Sequence, residues 1–188
     1  TLCTENITIT NAFGQVIENH SLAGNIDYKV STTYHPILGQ PLEIKDTFDN
    51  PISKSEYDTL GHTIKTWNID LSNAPSSSDS AWWKYTYNKA GNVISTTDPR
   101  GVISTNIYDE LGRVKEIKIG DKTISTTSYD NCQNGIGKIC QTTDNNPDTG
   151  KVLLTTTNVY DIRGQILSTT TKTSNLPDEV VNNKMFTT

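Results

Sequence analysis

The sequence predicts an all-β fold in which consecutive antiparallel β-hairpins form a curved sheet. Short runs with alternating apolar residues are separated by turns that contain Gly, Pro, Asp or Asn. A pattern of an aromatic residue, Asp or Asn, two further residues and Gly recurs along the chain. Hydrophobic residues make up only 33% of the 188 residues, which is typical of strands with one wetted face rather than of a thick core.

The segment Tyr108–Val114 contains the clearest copy of this pattern. Asp109 is expected to open a type I turn, because its carboxylate can accept hydrogen bonds from backbone N–H groups. Gly112 can take the left-handed conformation that returns the chain to a sheet through a bulge. The segment therefore predicts a hairpin tip with an aromatic residue before it and a cation, Arg113, after it.

Further copies of the pattern make the chain a repeat protein. Three clear copies begin at Tyr57, Tyr87 and Tyr160, and a weaker copy occupies residues 10–16. Residues 34–39 fit a further eroded tip with one inserted residue. The predicted tip residues are Tyr57, Asp58, Gly61, Tyr87, Gly91, Tyr108, Asp109, Gly112, Arg113, Tyr160, Asp161 and Gly164.

The spacing of the copies predicts the size of one repeat. Tyr87, Tyr108 and Tyr129 follow one another at intervals of 21 residues. Residues 98–101, between two such tips, have Asp, Pro and Gly at the positions that a type I turn favours. One repeat is therefore expected to contain two turns and two strands.

The regularity of the repeats predicts the domain organisation. We expect degenerate repeats over residues 1–45 and clear repeats over residues 46–172. Polar insertions at residues 71–80 and 144–150 are expected to be loops. A further turn is expected at residues 49–51, where Asp and Asn precede Pro.

The tip residues resemble the YD-repeat, or Rhs-repeat, family, whose core is Tyr-Asp-x-x-Gly-Arg followed by an apolar residue. The full core is present only at Tyr108–Val114, because Asn92, His62 and Gln165 replace the Arg elsewhere. The family includes bacterial Rhs polymorphic toxins, the B and C subunits of insecticidal toxin complexes, and teneurins. The resemblance implies that the hairpins form part of a spiral β-shell. Since 188 residues are too few for a closed shell, we expect a fragment of a longer array.

The charge of the chain bears on its partners. A net charge of −5 and a pI near 5.1 argue against a nucleic-acid groove or a surface for anionic membranes. No apolar run approaches the length that crosses a bilayer, so we expect no membrane insertion by this segment.

The three cysteines permit one pair. Cys132 and Cys140 flank a Gly-rich stretch, where a disulfide and two unlinked thiols are both consistent with the sequence. Cys3 has no visible partner. The three histidines are scattered and no Cys-x-x-Cys pair is present, so we expect no metal site and no cofactor.

An aromatic row and a pair of carboxylates are the candidate sites in the sequence. Trp83, Tyr85 and Tyr87 alternate along one predicted strand, where they could stack on sugar rings or pack against neighbouring strands. Packing is the favoured alternative. The adjacent carboxylates of Asp109 and Glu110 suit a turn former and a solvated neighbour better than a catalytic pair, so we expect no enzymatic activity.

The resemblance implies a structural role in a secreted or cell-surface bacterial protein. The segment is expected to form part of a wall that encloses or presents a toxic C-terminal domain of the same parent protein. Unpaired sheet edges are expected to favour self-association. The alternative function is a cell-surface adhesin or carbohydrate-binding module with the aromatic row as its platform.

Overall fold

The computed structural model describes residues 4–70, 78–174 and 185–187. The prediction of an all-β fold of consecutive antiparallel hairpins is confirmed, since these ranges contain fifteen strands and one turn of 3-10 helix at Asp79–Ala81. The strands are β1 (Thr4–Thr10), β2 (Val16–Ala23), β3 (Ile26–Tyr34), β4 (Pro41–Lys45), β5 (Pro51–Tyr57), β6 (Thr63–Asn68), β7 (Trp83–Tyr87), β8 (Val93–Thr97), β9 (Ile103–Tyr108), β10 (Val114–Ile119), β11 (Lys122–Tyr129), β12 (Ile139–Asn145), β13 (Val152–Tyr160), β14 (Ile166–Thr173) and β15 (Met185–Thr187).

The chain divides into two compact units. The first comprises Thr1–Thr86 and Thr96–Gly101, and the second comprises Tyr87–Ser95 and Val102–Thr188. In the first unit, strands β1 to β7 pair antiparallel in chain order. In the second unit, strands β9 to β15 do the same. Each unit is therefore a meander in which every strand pairs with its neighbours in sequence.

The strand register shifts where a strand meets a hairpin tip. A bulge lies between Glu56 and Tyr57, and another lies between Val159 and Tyr160. Such a bulge is expected when a type I turn is followed by a left-handed residue that returns the chain to the ladder. The bulge places the tyrosine of the pattern at the last strand position before each of these tips.

The buried core is thin, as the composition predicts. In the first unit Trp67, Ala81 and Trp82 form a buried cluster. Most other described strand residues are half-buried. Burial of apolar side chains therefore contributes less to this fold than it does in a globular domain of similar length.

The two predicted insertions differ in how far the structure describes them. Residues 71–77 of the first lie outside the described residues, and Asp79 at its end accepts hydrogen bonds from the ammonium groups of Lys65 and Lys84. The second insertion is shorter than predicted, because Asp144 and Asn145 continue strand β12. The turn itself covers only residues 146–151.

From the unpaired edge of strand β1 we predict that the isolated chain self-associates. Among the described residues β1 pairs only with β2, and it exposes Ile7 and Ile9 at 41% and 39%. An exposed apolar edge strand is a template for pairing with another copy, and Lys blocks such pairing. We expect Ile9→Lys to reduce association that increases with concentration, measured by light scattering in a Cys3→Ser background.

The matched control for this variant is Ile119→Lys. Ile119 is similarly exposed at 37%, but its strand β10 pairs on both sides, with β9 and β11. This variant should associate as the parent chain does. A parent chain that stays monomeric at high concentration would contradict the prediction.

Candidate functional site: the hairpin tips

The Asp109 tip, residues 109–113, is closed by four hydrogen bonds. The Asp109 N–H donates to the Arg113 carbonyl at 2.9 Å, and the Gly112 N–H donates to the Asp109 carbonyl at 3.0 Å. Asp109 Oδ1 accepts from the N–H groups of Leu111 and Arg113 at 3.0 and 2.9 Å. Gly112 has φ +77°, which favours glycine. One carboxylate oxygen thus satisfies two backbone donors that the turn leaves without strand partners.

The same four hydrogen bonds recur in both units. Among the described residues, six tips of five residues have this arrangement, and each begins with Asp or Asn. In each, the side-chain Oδ1 accepts from the backbone N–H groups two and four positions later. The six tips begin at Asn11, Asp46, Asp58, Asn88, Asp109 and Asp161.

One of these tips differs from the turn predicted at residues 49–51. The turn begins at Asp46 and ends at Asn50, and Pro51 is the first residue of β5. The position that Gly occupies in the other five-residue tips is held by Asp49, with φ 62°. Without that Gly the pattern was not recognisable, although Asp tolerates the left-handed region better than most residues do.

A tyrosine hydroxyl joins each of several strand ends to the neighbouring hairpin. Tyr108 donates through its hydroxyl to the Val93 carbonyl at 2.7 Å, and Val93 is the first residue of β8 after the Asn88 tip. The same bond, at 2.7 to 2.8 Å, joins Tyr34 to Val16, Tyr57 to Pro41, Tyr129 to Val114 and Tyr160 to Ile139. The aromatic residue of the pattern therefore bonds one tip to the strand that leaves the preceding tip. Tyr129 was not among the predicted tip residues, and Tyr34 was included only in the eroded tip expected at residues 34–39.

The residue after the tip glycine also reaches the next tip. In the first unit Gln15 donates through Nε2 to the Gly39 carbonyl at 2.8 Å. In the second unit Arg113 occupies the same position and pairs with Asp109 in its own tip at 2.7 Å and with Asp130 in the next loop at 2.5 Å. Its guanidinium also lies 4.2 Å from the centre of the Tyr129 ring. The sequence alone did not reveal the role of Asp130.

The charges of this group stabilise one another. The backbone N–H of Arg113, followed by its guanidinium, holds the pKa of Asp109 below its ordinary value. The guanidinium is also the main cause of the lowered pKa of Asp130. Asp130 and Asp109 in turn raise the pKa of Arg113. Charge-assisted bonds of this kind are the stronger class of hydrogen bond, although partial exposure to water reduces their effect.

The loop between β11 and β12 replaces a five-residue tip with a longer one that contains a disulfide. Cys132 and Cys140 are bonded, with the two Sγ atoms 2.04 Å apart. Gly135 packs against this bond, since a Cβ atom there would lie 2.2 Å from Cys132 Sγ. Closing so short a loop contributes about 2–3 kcal/mol. Asn134 then donates through Nδ2 to the Tyr160 carbonyl at 3.1 Å, which joins the loop to the next hairpin.

The side chains of the aromatic row are partly shielded from solvent. Trp83, Tyr85 and Tyr87 are each half-buried. The Nε1 atom of Trp83 is buried and has no hydrogen-bond partner among the residues that the structure describes. The next residue along, Trp82, is 8% exposed and belongs to the buried cluster with Trp67. Packing and sugar stacking both stay predictions for the row.

The described residues contain no other candidate centre. No group of three or more His, Cys, Asp or Glu side chains among them could hold a metal ion. None of the helical residues described forms a helix long and apolar enough to cross a bilayer. Glu110, beside Asp109, is exposed and makes no side-chain hydrogen bond within the described ranges. What the tips provide is a set of bonds that hold hairpins side by side.

The tips and the antiparallel meander define a hairpin-repeat protein. Residues 87–124 match the family model described as RHS Repeat. This segment is an RHS repeat, and the resemblance noted in its Tyr-Asp-x-x-Gly-Arg core is confirmed. No curated protein sequence matches the chain.

Solved structures of toxin complexes contain the same fold. The chain is similar to the crystal structure of TcdB2-TccC3, with a TM-score of 0.71 and 17% identity over 96% of this chain. It is also similar to the Photorhabdus luminescens Tc holotoxin pore with a mutated TccC3, with a TM-score of 0.70 and 16% identity over 96% of this chain. The chain spans only 9% of the length of either of these chains.

Loss of the tyrosine hydroxyl is predicted to weaken a tip. Tyr108→Phe removes the bond to the Val93 carbonyl, so we expect a loss of about 0.5–1.5 kcal/mol in the free energy of unfolding, measured by urea denaturation. The control is Tyr28→Phe, because Tyr28 is 55% exposed and its hydroxyl bonds no described residue. Equal effects of the two substitutions would show that the hydroxyl bond contributes nothing.

Acid is predicted to weaken the Arg113 contacts. Because the pKa of Asp109 and of Asp130 is lowered in the folded chain, the unfolded chain binds more protons as the pH falls. The stabilisation is therefore complete above about pH 4, the usual carboxyl range, and is lost below it. We expect Arg113→Gln to reduce the dependence of the urea midpoint on pH between 7 and 3.

The control for that measurement is Arg163→Gln. Arg163 lies in the Asp161 tip and, among the described residues, its guanidinium pairs with no carboxylate. Its substitution should leave the acid dependence unchanged. An unchanged dependence in Arg113→Gln as well would rule out a contribution of Arg113 to the acid response.

Proposed function

We propose that this chain is a structural segment of a secreted bacterial toxin-type protein. In this proposal its hairpins form part of a shell that encloses or presents a toxic C-terminal domain of the same parent protein. The observation that carries the proposal is the likeness of 96% of the chain, at a TM-score of 0.71, to a part of TcdB2-TccC3. The RHS repeat at residues 87–124 supports the same assignment.

The geometry of the tips supports a structural role. At the Asp109 tip the carboxylate accepts hydrogen bonds from two backbone N–H groups and from the side chain of Arg113. Its oxygen atoms are therefore engaged in holding the tip closed. A catalytic acid or base needs a proton-transfer path to a substrate, and a carboxylate engaged in this way does not offer one. The role proposed here is to build a wall through hydrogen bonds between neighbouring hairpins.

The disulfide supports a location outside the cytoplasm. Disulfides form and persist in oxidising compartments and are uncommon in the cytosol. The bond between Cys132 and Cys140 closes a loop with an exposed isoleucine, Ile136, at 88%. We therefore assign the segment to a secreted or cell-surface protein.

Limited proteolysis of the intact parent protein tests the proposal. The open reading frame around this segment is first determined and expressed whole. We expect a C-terminal domain that resists protease in the parent protein and is digested faster in Asp109→Ala, because that variant leaves the N–H groups of Leu111 and Arg113 without their acceptor. Release of the domain is followed by gel electrophoresis and mass spectrometry.

The matched control is Glu110→Ala, which removes the exposed carboxylate beside Asp109. This variant should protect the domain as well as the parent protein does. The shell proposal fails if the reading frame encodes no further domain, or if protease digests the domain equally fast in all three proteins.

A further inference from the structure

The hairpin between β3 and β4 ends in a six-residue tip, His35–Gln40, called here the His35 tip. The His35 N–H donates to the Gln40 carbonyl at 2.7 Å, and the Gly39 N–H donates to the His35 carbonyl at 2.9 Å. The expectation of an eroded tip with one inserted residue describes it correctly. Its first residue, however, is neither Asp nor Asn.

A second six-residue tip provides an internal comparison. The Asn146 tip, residues 146–151, also has Pro in second place and Gly in fifth. The Asn146 N–H donates to the Lys151 carbonyl at 2.8 Å, and the Gly150 N–H donates to the Asn146 carbonyl at 2.8 Å. The glycines of the two tips have φ of +67° and +69°. The two tips therefore share one backbone geometry and differ in the first side chain.

That first side chain performs the same task in both tips. Asn146 Oδ1 accepts from the N–H groups of Asp148 and Thr149 at 2.8 and 2.9 Å. His35 Nδ1 accepts from the corresponding N–H groups of Ile37 and Leu38 at 3.3 and 3.1 Å. The imidazole nitrogen of His35 thus replaces the amide oxygen as the acceptor that closes the tip.

The two acceptors respond differently to protons. An amide oxygen accepts hydrogen bonds throughout the physiological pH range, whereas both nitrogens of a protonated imidazole are donors. Histidine changes charge between about pH 5 and 8. We propose that the His35 tip is an acid-sensitive element of the fold: protonation of His35 breaks its bonds to Ile37 and Leu38 and opens the tip.

The sign of the effect follows from proton linkage. The closed tip requires an unprotonated Nδ1, while the open tip allows the imidazole to bind a proton. Opening therefore takes up a proton, and the closed form loses stability as the pH falls. At the Asn146 tip no such proton is bound by the acceptor, so that tip stays closed over the same range.

Two pairs of titratable side chains lie near the tip in the part of the chain that the structure describes. Glu18 of β2 lines the same groove, of about 710 Å³, and lies 3.2 Å from His20. On the other side, Gly61 packs near the Leu38 side chain, and Gly61 belongs to the tip that holds the Asp58–His62 pair at 2.9 Å. Neither carboxylate bonds the His35 ring. Because each of these pairs also contains a histidine, a substitution of His35 itself is needed to assign the response of the two amides.

Opening would change an exposed surface. Ile37 is 88% exposed at the head of the tip, and across the groove Phe13 of the Asn11 tip is 87% exposed. Gln15 bonds the Gly39 carbonyl, so the His35 tip is also joined to the preceding hairpin. An acid-induced opening would loosen this junction while leaving the tips closed by Asp or Asn in place. This acid response is independent of the shell role proposed above.

Hydrogen exchange of single amides, measured by NMR on the chain at pH values from 7.5 to 5.0, tests the proposal. Exchange is expressed as protection relative to the intrinsic rate at each pH. We expect the protection of Ile37 and Leu38 to fall by up to about tenfold per pH unit as the pH is lowered over this range. The amides of Asp148 and Thr149 should keep their protection and serve as the internal reference.

The matched variant is His35→Asn, which gives the His35 tip the same first side chain as the Asn146 tip. In this variant the protection of Ile37 and Leu38 should no longer depend on pH. The proposal is overturned if these amides keep their protection while the wild-type ring titrates, or if His35→Asn loses protection as the wild type does. Because Asp148 and Thr149 provide a reference within the wild-type chain, the result does not require the variant to fold.

Discussion

The structure depends on how the backbone donors of a hairpin tip are satisfied. A tight tip turns N–H groups away from the strand ladder, and each such group needs an acceptor. Here a single side-chain oxygen accepts two of them, as Asp109 does for Leu111 and Arg113. Among the described residues few side chains are buried, so the tips are not supported by a thick core. The order of the chain therefore rests on hydrogen bonds within and between hairpins more than on apolar burial.

The hydrogen bonds within a tip stabilise only one hairpin. The tyrosine of the pattern adds a hydrogen bond that joins this hairpin to its neighbour. The hydroxyl of Tyr160 reaches the Ile139 carbonyl and that of Tyr57 reaches the Pro41 carbonyl, both at 2.7 Å. The residue after the glycine adds a second link, weak when it is Gln15 and charge-assisted when it is Arg113. Such nearest-neighbour links are the basis of cooperativity in a repeat protein. They also explain why an aromatic residue and a cation flank the Asp and the Gly.

The parts of the fold that sequence reasoning predicted are those that a local rule determines. Asp109 and Gly112 predict their tip, because few residue types meet the hydrogen-bonding and conformational requirements of those positions. The Asp46 tip was missed because Asp49 takes the left-handed position in place of Gly. The contact of Arg113 with Asp130 could not be predicted, since it joins separate hairpins and depends on their register. The sequence pattern identifies each tip separately, so it does not predict which residues of different tips contact one another.

The chemistry of the acceptor is a second variable, independent of the fold. The tip requires only an atom with a lone pair at the correct distance, and Asp, Asn and His all provide one. Asn keeps its lone pairs at any ordinary pH, Asp loses acceptor capacity only in acid, and His loses it near neutrality. Identical backbone geometry can therefore have a different response to pH at each hairpin. The first tip residue is therefore a position at which such an array can acquire a response to pH without a change of architecture.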